Sequence, residues 1–342
     1  MKINYVLWNL KCTGGNRVIF EIANGLVDRG YDVTITAAGG DPNWFPLRAK
    51  LRIFRSYFKY PSLLNMMSSF FTMMTKKHEA DVVIATWAFT AYPVKYSGNG
   101  KKFYHIQHYE PLFFNQPFKY LVKRTYSFPL KLISNCIWLR NMLKKKHNRD
   151  SVIINPGIDL KLFRPKKLKK DPSKKRIVCL GKDYIPWKGV QDAFKAMEIV
   201  NEKRKDVELI FYGIRPLTTK NPKVPYRFIK FPSDEELVNL YNLADLVLCP
   251  SWYESFPLPP LEAMACGVPI VTTRYGTEDY AFDGKNSLVI PPKRPKLMAE
   301  AILKVLDDEK LARRLRENGI KTAKKFTWNN TVDKFERLLK EI

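Results

Sequence analysis

The sequence predicts an α/β protein of two domains. Short aliphatic runs of strand length alternate with amphipathic helical patterns along the chain, and the chain opens with a strand, a glycine turn and a helix. The length of 342 residues is sufficient for two domains of ordinary size. Because such alternation builds parallel sheets that bind ligands at the carboxyl ends of their strands, those ends are where we look for functional residues.

The opening strand-helix-strand unit carries a glycine pair where its first strand meets its first helix. A strand is predicted over residues 2–8, a helix over 17–29 and the next strand over 31–37. Gly14 and Gly15 fall in the intervening turn, where backbone N–H groups at a helix N-terminus can face a phosphate. A glycine pair alone is weak evidence, because any tight strand-to-helix turn accepts glycine.

Two histidines mark the end of a later strand. Strands are predicted over residues 81–86 and 101–107, and the second runs into the sequence HIQHYEP. His105 lies within this strand, and His108 falls just beyond its end. Because α/β proteins place functional groups at strand ends, His108 is the preferred candidate for ligand contact and His105 is the alternative.

Residues 44–77 combine aromatic and basic side chains. Such interleaving suits a membrane interface or single-stranded nucleic acid, whereas the alternative is a strand followed by a core helix. For the Met- and Phe-rich part, residues 61–77, we favour the core helix. For the basic-aromatic part we favour a membrane-facing or acceptor-facing role. That part comprises Trp44, Phe45, Arg48, Lys50, Arg52, Phe54, Arg55, Tyr57, Phe58, Lys59 and Tyr60.

A polar, lysine-rich stretch separates the two halves of the chain. Residues 132–140 are predicted to form a strand and the start of a helix. Residues 166–176 contain Pro172 and few apolar side chains, as is typical of a solvated linker. We therefore predict one domain over residues 1–165 and a second over 166–327.

The second half opens with a strand over residues 176–181 and a loop with two lysines. Lys182 and Lys188 flank this loop, which reads KDYIPWKG, and a helix is predicted from Val190. Fixed cations beside a helix N-terminus suit a diphosphate. The alternative is a pair of ordinary surface lysines.

Strands and helical patterns account for much of the remaining second half. Strands are predicted over residues 207–213 and 226–231. Ser233 with Glu236 three residues later predicts a capping box at a helix N-terminus. Amphipathic helices are predicted over residues 297–306 and 311–326, and a last helix over 328–342.

The second half is organised around residues 254–271, which read ESFPLPPLEAMACGVPIV. This stretch follows a predicted buried strand at residues 244–250, and a short helix is predicted from Leu261. Glu254 then lies on a loop at the carboxyl end of a strand, and Glu262 lies in the first helical turn. Two carboxylates near a helix N-terminus suit a hydroxyl-rich ligand, because they are strong acceptors for O–H groups. The alternative is a pair of solvated surface acids.

Residues 254–271 resemble the signature of the retaining nucleotide-sugar glycosyltransferases of family 4. Two glutamates eight positions apart, Phe256, the run EAMA and the run GVPIV carry the resemblance. RVIFEIANGLVDRGYDV after the glycine pair, NPGID near residue 155 and DGKNSLVI near residue 283 extend it over most of the chain. The resemblance implies the GT-B architecture, in which two Rossmann-like, doubly wound domains face a central cleft. It also implies that the helix at residues 328–342 crosses back to the first domain.

The resemblance implies roles for individual side chains. Lys188 and Lys182 would stabilise the leaving nucleoside diphosphate, although arginine is commoner at position 182 and lysine lacks its bidentate fork. Glu254 would hold hydroxyls of the sugar, Glu262 would hold the ribose and His108 would contact the transferred sugar.

Further donor contacts are implied through the backbone. Amides near Phe256 and Leu258 would meet the sugar and phosphate, whereas Pro257 has no N–H to give. The glycine pair would lie across the cleft from the donor, and the loop after the strand at residues 226–231 would meet the base. The predicted donor-binding set is Glu262, Phe256, Pro257, Leu258, Gly14, Gly15, Gly181, Tyr212, Gly213 and Phe231.

The charge and amino-acid composition of the chain limit the compartments and partners that we expect. The formal net charge is +26, and residues 1–165 hold 25 lysines and arginines against 9 acidic residues. Such a surface attracts phosphorylated ligands, nucleic acid or an anionic membrane. The five cysteines show no metal-type spacing, and no apolar run reaches the length of a membrane span. We therefore expect a cytoplasmic protein, with attachment to the inner face of a membrane left open.

The expected reaction is transfer of a sugar from a UDP-, GDP- or dTDP-linked donor to an acceptor hydroxyl, with retention and without a metal cofactor. No D-x-D motif of the kind that holds a divalent cation on a diphosphate occurs in the chain. The acceptor is expected to be a lipid-linked or anionic glycan, as in polysaccharide assembly. The alternatives are a sugar phosphorylase, a nucleotide-sugar epimerase, a non-catalytic sensor and, from charge alone, a nucleic-acid-binding protein. Oligomeric state is not predicted.

Overall fold

The computed structural model describes residues 1–54, 63–76, 78–219 and 222–341. The chain divides into two compact units. Unit 1 comprises Met1–Gly157 and Trp328–Ile342, and unit 2 comprises Ile158–Thr327. Each unit is built on its own parallel sheet, so the predicted α/β class is confirmed.

The division between the units falls earlier than the sequence suggested. Residues 158–165 were expected in the first domain, yet they belong to unit 2. The Ile158 N–H donates to the carbonyl of Phe326 (2.9 Å), and the Asn242 amide donates to the carbonyl of Arg164 (3.1 Å). These hydrogen bonds attach residues 158–165 to unit 2. The amino-acid composition of the segment does not indicate them.

The sheet of unit 1 has seven strands among the described residues, and all of their pairings are parallel. The spatial order is β3-β2-β1-β4-β5-β6-β7, so the chain changes direction of growth between β1 and β4. The strands are β1 (Lys2–Leu7), β2 (Asp32–Ala37), β3 (Lys50–Ile53), β4 (Val82–Ala85), β5 (Lys101–Ile106), β6 (Lys131–Ser134) and β7 (Val152–Ile153).

The helices of unit 1 include the last helix of the chain. They are α1 (Gly14–Asp28), α2 (Leu63–Thr75), α3 (Ala88–Lys95), α4 (Phe118–Thr125), α5 (Ile137–His147) and α11 (Trp328–Lys340). Helix α11 buries Phe335 and Leu338 in the unit 1 core and packs against α1. A Cβ at Gly25 of α1 would lie 2.4 Å from Cγ2 of Val332, so the glycine permits close helix packing. The expected return of the terminal helix to the first domain is confirmed.

The structure describes only the first part of the basic-aromatic stretch, residues 44–54. Trp44 and Phe45 are half-buried and pack on Phe20 of the core, and the Trp44 indole donates to the carbonyl of Leu10 (2.7 Å), so packing accounts for part of their apolar surface. Strand β3 forms an exposed edge. Residues 55–62, which include Tyr57, Phe58 and Tyr60, lie outside the described part of the chain.

Helix α2 is only partly a core helix. Met73 is fully buried, whereas Met67 and Phe71 are exposed. The apolar composition of the run predicted a helix correctly but not which side chains face solvent, because Met and Phe occupy nearly every turn.

The sheet of unit 2 has six strands among the described residues, again all parallel. The order is β10-β9-β8-β11-β12-β13. Strands β9 and β10 are added on one side of β8 and the later strands on the other, so the direction in which the sheet grows reverses between β8 and β11. The strands are β8 (Lys175–Leu180), β9 (Val207–Gly213), β10 (Tyr226–Lys230), β11 (Leu246–Cys249), β12 (Ile270–Thr273) and β13 (Leu288–Ile290).

The helices of unit 2 follow the predicted pattern with one exception. They are α6 (Val190–Lys203), α7 (Asp234–Leu243), α8 (Leu258–Ala265), α9 (Pro295–Asp307) and α10 (Glu309–Ala323). The capping box of Ser233 and Glu236 is confirmed at the start of α7. Helix α8 begins at Leu258 rather than Leu261, because prolines are tolerated in a first turn whose N–H groups have no intrahelical acceptor.

Within the described part of the chain, we find no helix whose length and apolar character would let it span a bilayer.

Candidate active site

The organising feature of unit 2 is the point where its sheet changes direction of growth. Strands β8 and β11 are neighbours there, and the loops that follow them leave the same edge of the sheet because the strands are parallel. In doubly wound sheets this is the position at which ligands bind. The loop after β8 carries Lys182 and Lys188, and the loop after β11 carries Glu254.

An ion pair joins the two loops. The Lys188 ammonium lies 2.5 Å from Oε1 of Glu254, and the two side chains are only 18% and 12% exposed. Burial raises the pKa of the neighbouring Cys249 thiol to about 11, with a further contribution from the charge of Glu254. Two residues 66 positions apart in sequence therefore form one charged, half-buried centre.

The same loops are held together by a second set of contacts. The Trp252 N–H donates to the carbonyl of Trp187 (2.7 Å), and the Trp252 indole donates to Oδ2 of Asp192 (2.6 Å). The ring of Trp187 stacks on that of Tyr253 at 5.8 Å with an interplanar angle of 14°. These contacts fix the positions of Lys188 and Glu254, which lie next to Trp187 and Tyr253 in sequence.

Two glycines allow the backbones around this centre to approach closely. Gly189 has φ of +68°, and a Cβ there would lie 2.1 Å from the carbonyl oxygen of Pro250. Gly276 has φ of +92°, and a Cβ there would lie 2.2 Å from the carbonyl oxygen of Glu254. The Glu254 N–H also donates to the carbonyl of Tyr275 (3.0 Å), so the loop after β12 helps to fix the backbone position of the glutamate.

Phe256 adopts a strained backbone two residues after Glu254. Its φ is +110°, a region that L-residues with a side chain rarely occupy and that costs about 1–3 kcal/mol. The ring is buried against Tyr280 and Phe326, with centroids 5.2 and 5.6 Å away. Packing therefore holds the main chain in this conformation at the entrance to α8.

The N-terminus of α8 lies in the same loop. Pro257 is the N-cap residue and offers no side-chain hydrogen bond, while its carbonyl accepts from the Tyr280 hydroxyl (2.7 Å). Backbone N–H groups in a first helical turn have no intrahelical acceptor and favour an anion. Leu258 begins this turn, which is where the sequence placed its backbone role.

Glu262 lies in the second turn of α8 and not in the first, because the helix begins earlier than predicted. The side chain is buried, and its Oε2 accepts from the Tyr241 hydroxyl at 3.2 Å. The Tyr241 hydroxyl lies 2.7 Å from that of Tyr212. The side chain of Tyr212, predicted to contact the donor, thus points into this buried chain of hydroxyls.

The residues beside Lys182 are tied to the loop after β9. Oδ2 of Asp183 accepts from the backbone N–H groups and the hydroxyls of both Thr218 and Thr219, at 2.5 to 2.9 Å. Burial raises the pKa of the Asp183 carboxyl, but the hydrogen bonds from Thr218 and Thr219 outweigh burial, so the pKa is lowered overall. The Arg215 guanidinium lies over the Tyr184 ring at 3.6 Å. Lys182 therefore sits at the start of a loop anchored by its neighbour.

Gly181 and Gly213 serve packing. A Cβ at Gly181 would lie 2.9 Å from Cδ2 of Leu217, and a Cβ at Gly213 would lie 2.7 Å from the carbonyl oxygen of Gly181. Gly213 is therefore required for the ends of β8 and β9 to lie side by side, whereas at Gly181 the Leu217 side chain could shift. Phe231, in contrast, has φ of +48° and is 60% exposed at the end of β10. Its ring is therefore available to a planar ligand.

Unit 1 has its own point of reversal, between β1 and β4, and the glycine pair lies close to it. Gly14 begins α1 after the N-cap Thr13, whose hydroxyl accepts from the Asn16 N–H (3.2 Å). A Cβ at Gly14 would meet nothing within 4 Å, whereas one at Gly15 would lie 2.9 Å from Oε1 of Gln107. Gly15 thus lies close to the flexible end of the Gln107 side chain, and Gly14 leaves open space beside the helix N-terminus.

The two candidate histidines differ in their surroundings. His105 is fully buried, its Nε2 lies 2.8 Å from Oδ1 of Asn135, and burial lowers its pKa to about 4. His108 follows β5, is half-buried and packs on Phe113 with ring centroids 4.5 Å apart. Only His108 has the exposure that a ligand contact requires.

Comparison with known proteins agrees with this architecture. Residues 13–162 match the model described as Glycosyltransferase Family 4, and residues 162–322 match the model described as Glycosyl transferases group 1. The chain belongs to glycosyltransferase family 4.

Among the relatives of this chain is the D-inositol 3-phosphate glycosyltransferase of Corynebacterium efficiens. The two are 27% identical over 213 residues, which are 55% of this chain and 50% of the relative. The chain thus spans about half the length of that protein.

Solved structures show the same fold over the full length of the chain. Sucrose-phosphate synthase from Thermosynechococcus elongatus superposes with a TM-score of 0.83 at 17% identity, covering 99% of this chain and 98% of the other. HepE of Anabaena, solved in complex with UDP-glucose, gives 0.81 at 18% identity and covers 100% of both chains. The fold class is therefore GT-B, as the resemblance implied.

Sequence reasoning missed several residues of the site in this family-4 chain. Trp252 and Asp192 lie 60 positions apart, and Asp183 lies 35 positions from Thr218, so no local pattern joins them. The one available signal was the density of aromatic residues beside Lys188 and Glu254.

Proposed function

We propose that this chain transfers a sugar from a nucleotide diphosphate donor to an acceptor hydroxyl, with retention at the anomeric carbon. The observation that carries the proposal is the Lys188–Glu254 pair, 2.5 Å apart, where the unit 2 sheet reverses its direction of growth. A nucleotide-sugar donor is supported by family membership and by HepE, which shares the fold and was solved with UDP-glucose bound.

The donor diphosphate would lie between fixed positive groups. Lys188 supplies a cation, and Lys182 supplies a second at the other end of the same loop. The N-termini of α6 and α8 add oriented N–H groups, the second through Leu258. Preorganised charge of this kind stabilises a leaving diphosphate without solvent rearrangement, and we propose that no metal cofactor is required.

The sugar and the nucleoside would be held by carboxylates and a ring. Glu254 would accept hydrogen bonds from sugar hydroxyls while its ion-pair partner, Lys188, shifts toward the phosphate. Glu262 would accept from the ribose, in exchange for or in addition to the Tyr241 hydroxyl. The exposed Phe231 would contact the base. In unit 1, Gly14 and His108 are separate candidates for ligand contact.

The reaction balances without an added reagent. The bond between the anomeric carbon and the diphosphate oxygen breaks, and the acceptor oxygen bonds to that carbon on the same face. The acceptor's hydroxyl proton passes to the departing diphosphate, so the products are the glycoside and the nucleoside diphosphate. We propose an acceptor that is a lipid-linked or anionic glycan, since unit 1 carries most of the excess positive charge.

The test is turnover of UDP-, GDP- and dTDP-glucose in EDTA, with octyl glucoside or methyl glucoside as acceptor. We expect nucleoside diphosphate release that requires acceptor, and a product whose anomeric configuration, measured by NMR, matches the donor. Lys304→Ala, an exposed lysine of α9, is the matched control for Lys188→Ala. Sugar 1-phosphate formed with inorganic phosphate, an altered sugar without acceptor, or an inverted product would contradict the proposal.

A further inference from the structure

An exposed aromatic surface in unit 1 is not used by the proposed reaction. Helices α2, α3 and α4 pack side by side through phenylalanine rings. The ring of Phe71 neighbours that of Phe70 (6.0 Å), which contacts Phe89 (6.3 Å), which contacts Phe118 (6.4 Å). This chain of rings joins exposed side chains on α2 to exposed side chains on α4.

Large apolar side chains face solvent across these helices. Phe71 is 58% exposed and Tyr120 is 63% exposed. Single exposed apolar residues are common on soluble proteins, whereas several of them close together indicate an interaction surface. We call the following set the aromatic-cationic face: Met67, Phe71, Leu112, Phe113, Phe118 and Tyr120, with Lys76, Lys95, Lys119, Lys123 and Arg124.

The charge of this face has one sign. Residues 63–76, 88–95 and 111–125 contain no aspartate or glutamate, and the five cations belong to these segments. The neighbouring acid Glu110 is buried, and burial raises its pKa to about 8, so it offers no surface charge to neutralise them. An anionic partner with an apolar interior is complementary to such a surface.

The chemistry favours a lipid bilayer over a second copy of the chain. A symmetric dimer would place five cations against the same five cations, which opposes association. Anionic headgroups attract interfacial lysine and arginine, while phenylalanine and tyrosine enter the boundary between headgroups and acyl chains. Helix α4 presents both kinds of residue, with Phe118 and Tyr120 beside Lys123 and Arg124.

We propose that the aromatic-cationic face docks unit 1 on an anionic membrane. The inference rests on the proposed lipid-linked acceptor for its location, and the face is distinct from the basic-aromatic stretch at residues 44–60, whose Trp44 and Phe45 are partly buried against the unit 1 core. Docking needs neither donor nor turnover, so it can be tested apart from the proposed reaction.

The experiment is co-sedimentation of the full chain with phosphatidylcholine vesicles, with and without about a third phosphatidylglycerol. We expect binding to the anionic vesicles that falls at least about ten-fold when salt rises from about 0.1 M to about 0.5 M. Lys123→Glu/Arg124→Glu and Phe71→Ser/Tyr120→Ser should each weaken binding by at least about ten-fold.

Matched variants in unit 2 are the controls. Lys310→Glu/Lys321→Glu makes the same change in charge on α10, and Leu297→Ser removes an exposed apolar side chain of α9. Both should bind within about two-fold of the unmodified chain, and circular dichroism should show that every variant is folded. Equal binding to neutral vesicles, unchanged binding of the α2 and α4 variants, or self-association abolished by those variants would overturn the proposal.

Discussion

The two units place opposite chemistry at the same position of a similar sheet. In unit 2 the reversal between β8 and β11 is marked by Lys188 and Glu254, which form an ion pair. In unit 1 the reversal between β1 and β4 is marked by Trp8 and Trp87, whose ring centroids lie 5.1 Å apart. One strand order can therefore carry a charged centre or an aromatic one, and the residues that follow the strands decide which.

The difference extends to how each position is supported. The charged centre of unit 2 rests on hydrogen bonds and close backbone contacts, through Trp252, Asp192 and Gly189. The aromatic centre of unit 1 rests on ring packing, since Phe89 contacts both Trp87 (4.9 Å) and Phe114 (5.7 Å). Polar support holds a fixed geometry, whereas ring packing tolerates adjustment.

The largest expected effect tests the charged centre. Lys188→Ala or Glu254→Ala should lower kcat at least about 100-fold, because each removes a preorganised charge and breaks the half-buried ion pair. Steady-state kinetics of both variants, with Lys304→Ala as the reference, measures the effect. A variant that retains near-normal turnover while folded would remove these residues from the site.

The second expected effect concerns the close approach of the two loops. Gly189→Ala should destabilise the chain by about 2 kcal/mol or more, because its Cβ would meet the carbonyl of Pro250 at a positive φ. Gly284→Ala is the control, since φ is nearly the same (+66°) and a Cβ there would meet nothing within 4 Å. Urea denaturation compares the two; equal losses would mean that backbone strain alone, and not contact with Pro250, requires the glycine.

A smaller effect is expected from the contact between Trp252 and Asp192. Trp252→Phe keeps a ring but leaves the buried carboxylate without its indole donor, at a cost of about 1–3 kcal/mol. We also expect kcat to fall more than KM rises, because Lys188 and Glu254 lose their fixed spacing. Asp192→Asn keeps an acceptor for the indole and should be milder. If the two variants lost equal activity, the hydrogen bond would not be the positioning element.

The smallest effect is a pH dependence in unit 1. The Glu110 carboxyl accepts from the Ala88 N–H and the Tyr104 hydroxyl, both at 2.7 Å, and burial raises its pKa to about 8. The folded state then keeps a proton that the unfolded state releases near pH 4.5, so stability falls as pH rises toward 8. Buried His105, with its pKa lowered to about 4, acts in the opposite direction only below about pH 6.5.

The interval from about pH 6.5 to about 8 therefore isolates Glu110. Denaturant midpoints over this range should show stability falling for the unmodified chain, by at most about 1.4 kcal/mol per pH unit. Glu110→Gln should flatten this slope, because an amide does not ionise. The amide oxygen can still accept one of the two hydrogen bonds, so the variant should remain folded. An identical slope in the variant would show that Glu110 does not titrate in this interval.

Much of the fold followed from local pattern. Strand β9 begins and ends at the predicted residues, and the capping box of Ser233 and Glu236 marked the start of α7. These features depend on neighbours in sequence, so periodicity and capping chemistry are sufficient to find them. The start of α8 was missed because Pro259 and Pro260, which favour a loop elsewhere, are compatible with a first helical turn.

The site was only partly predictable, for a physical reason. Lys188 and Glu254 were found because both lie in loops between a strand and a helix N-terminus, where charged side chains suit a diphosphate or a hydroxyl-rich ligand. The partners that position them, Trp252 with Asp192 and Gly276 behind Glu254, act across tertiary distance. Glu262 and Tyr212 were assigned by resemblance, and no local pattern indicates that Tyr241 joins their side chains.

The most direct test of the central claim is a thermal-shift titration with UDP-, GDP- and dTDP-sugars in EDTA. A donor held by the charged centre stabilises the folded state by mass action, by about 2.7 kcal/mol at a hundred-fold excess over Kd. We predict a rise in Tm with one nucleotide, lost in Lys188→Ala and kept in Lys304→Ala. A rise that persists in Lys188→Ala would contradict the claim that the loops after β8 and β11 bind the donor diphosphate.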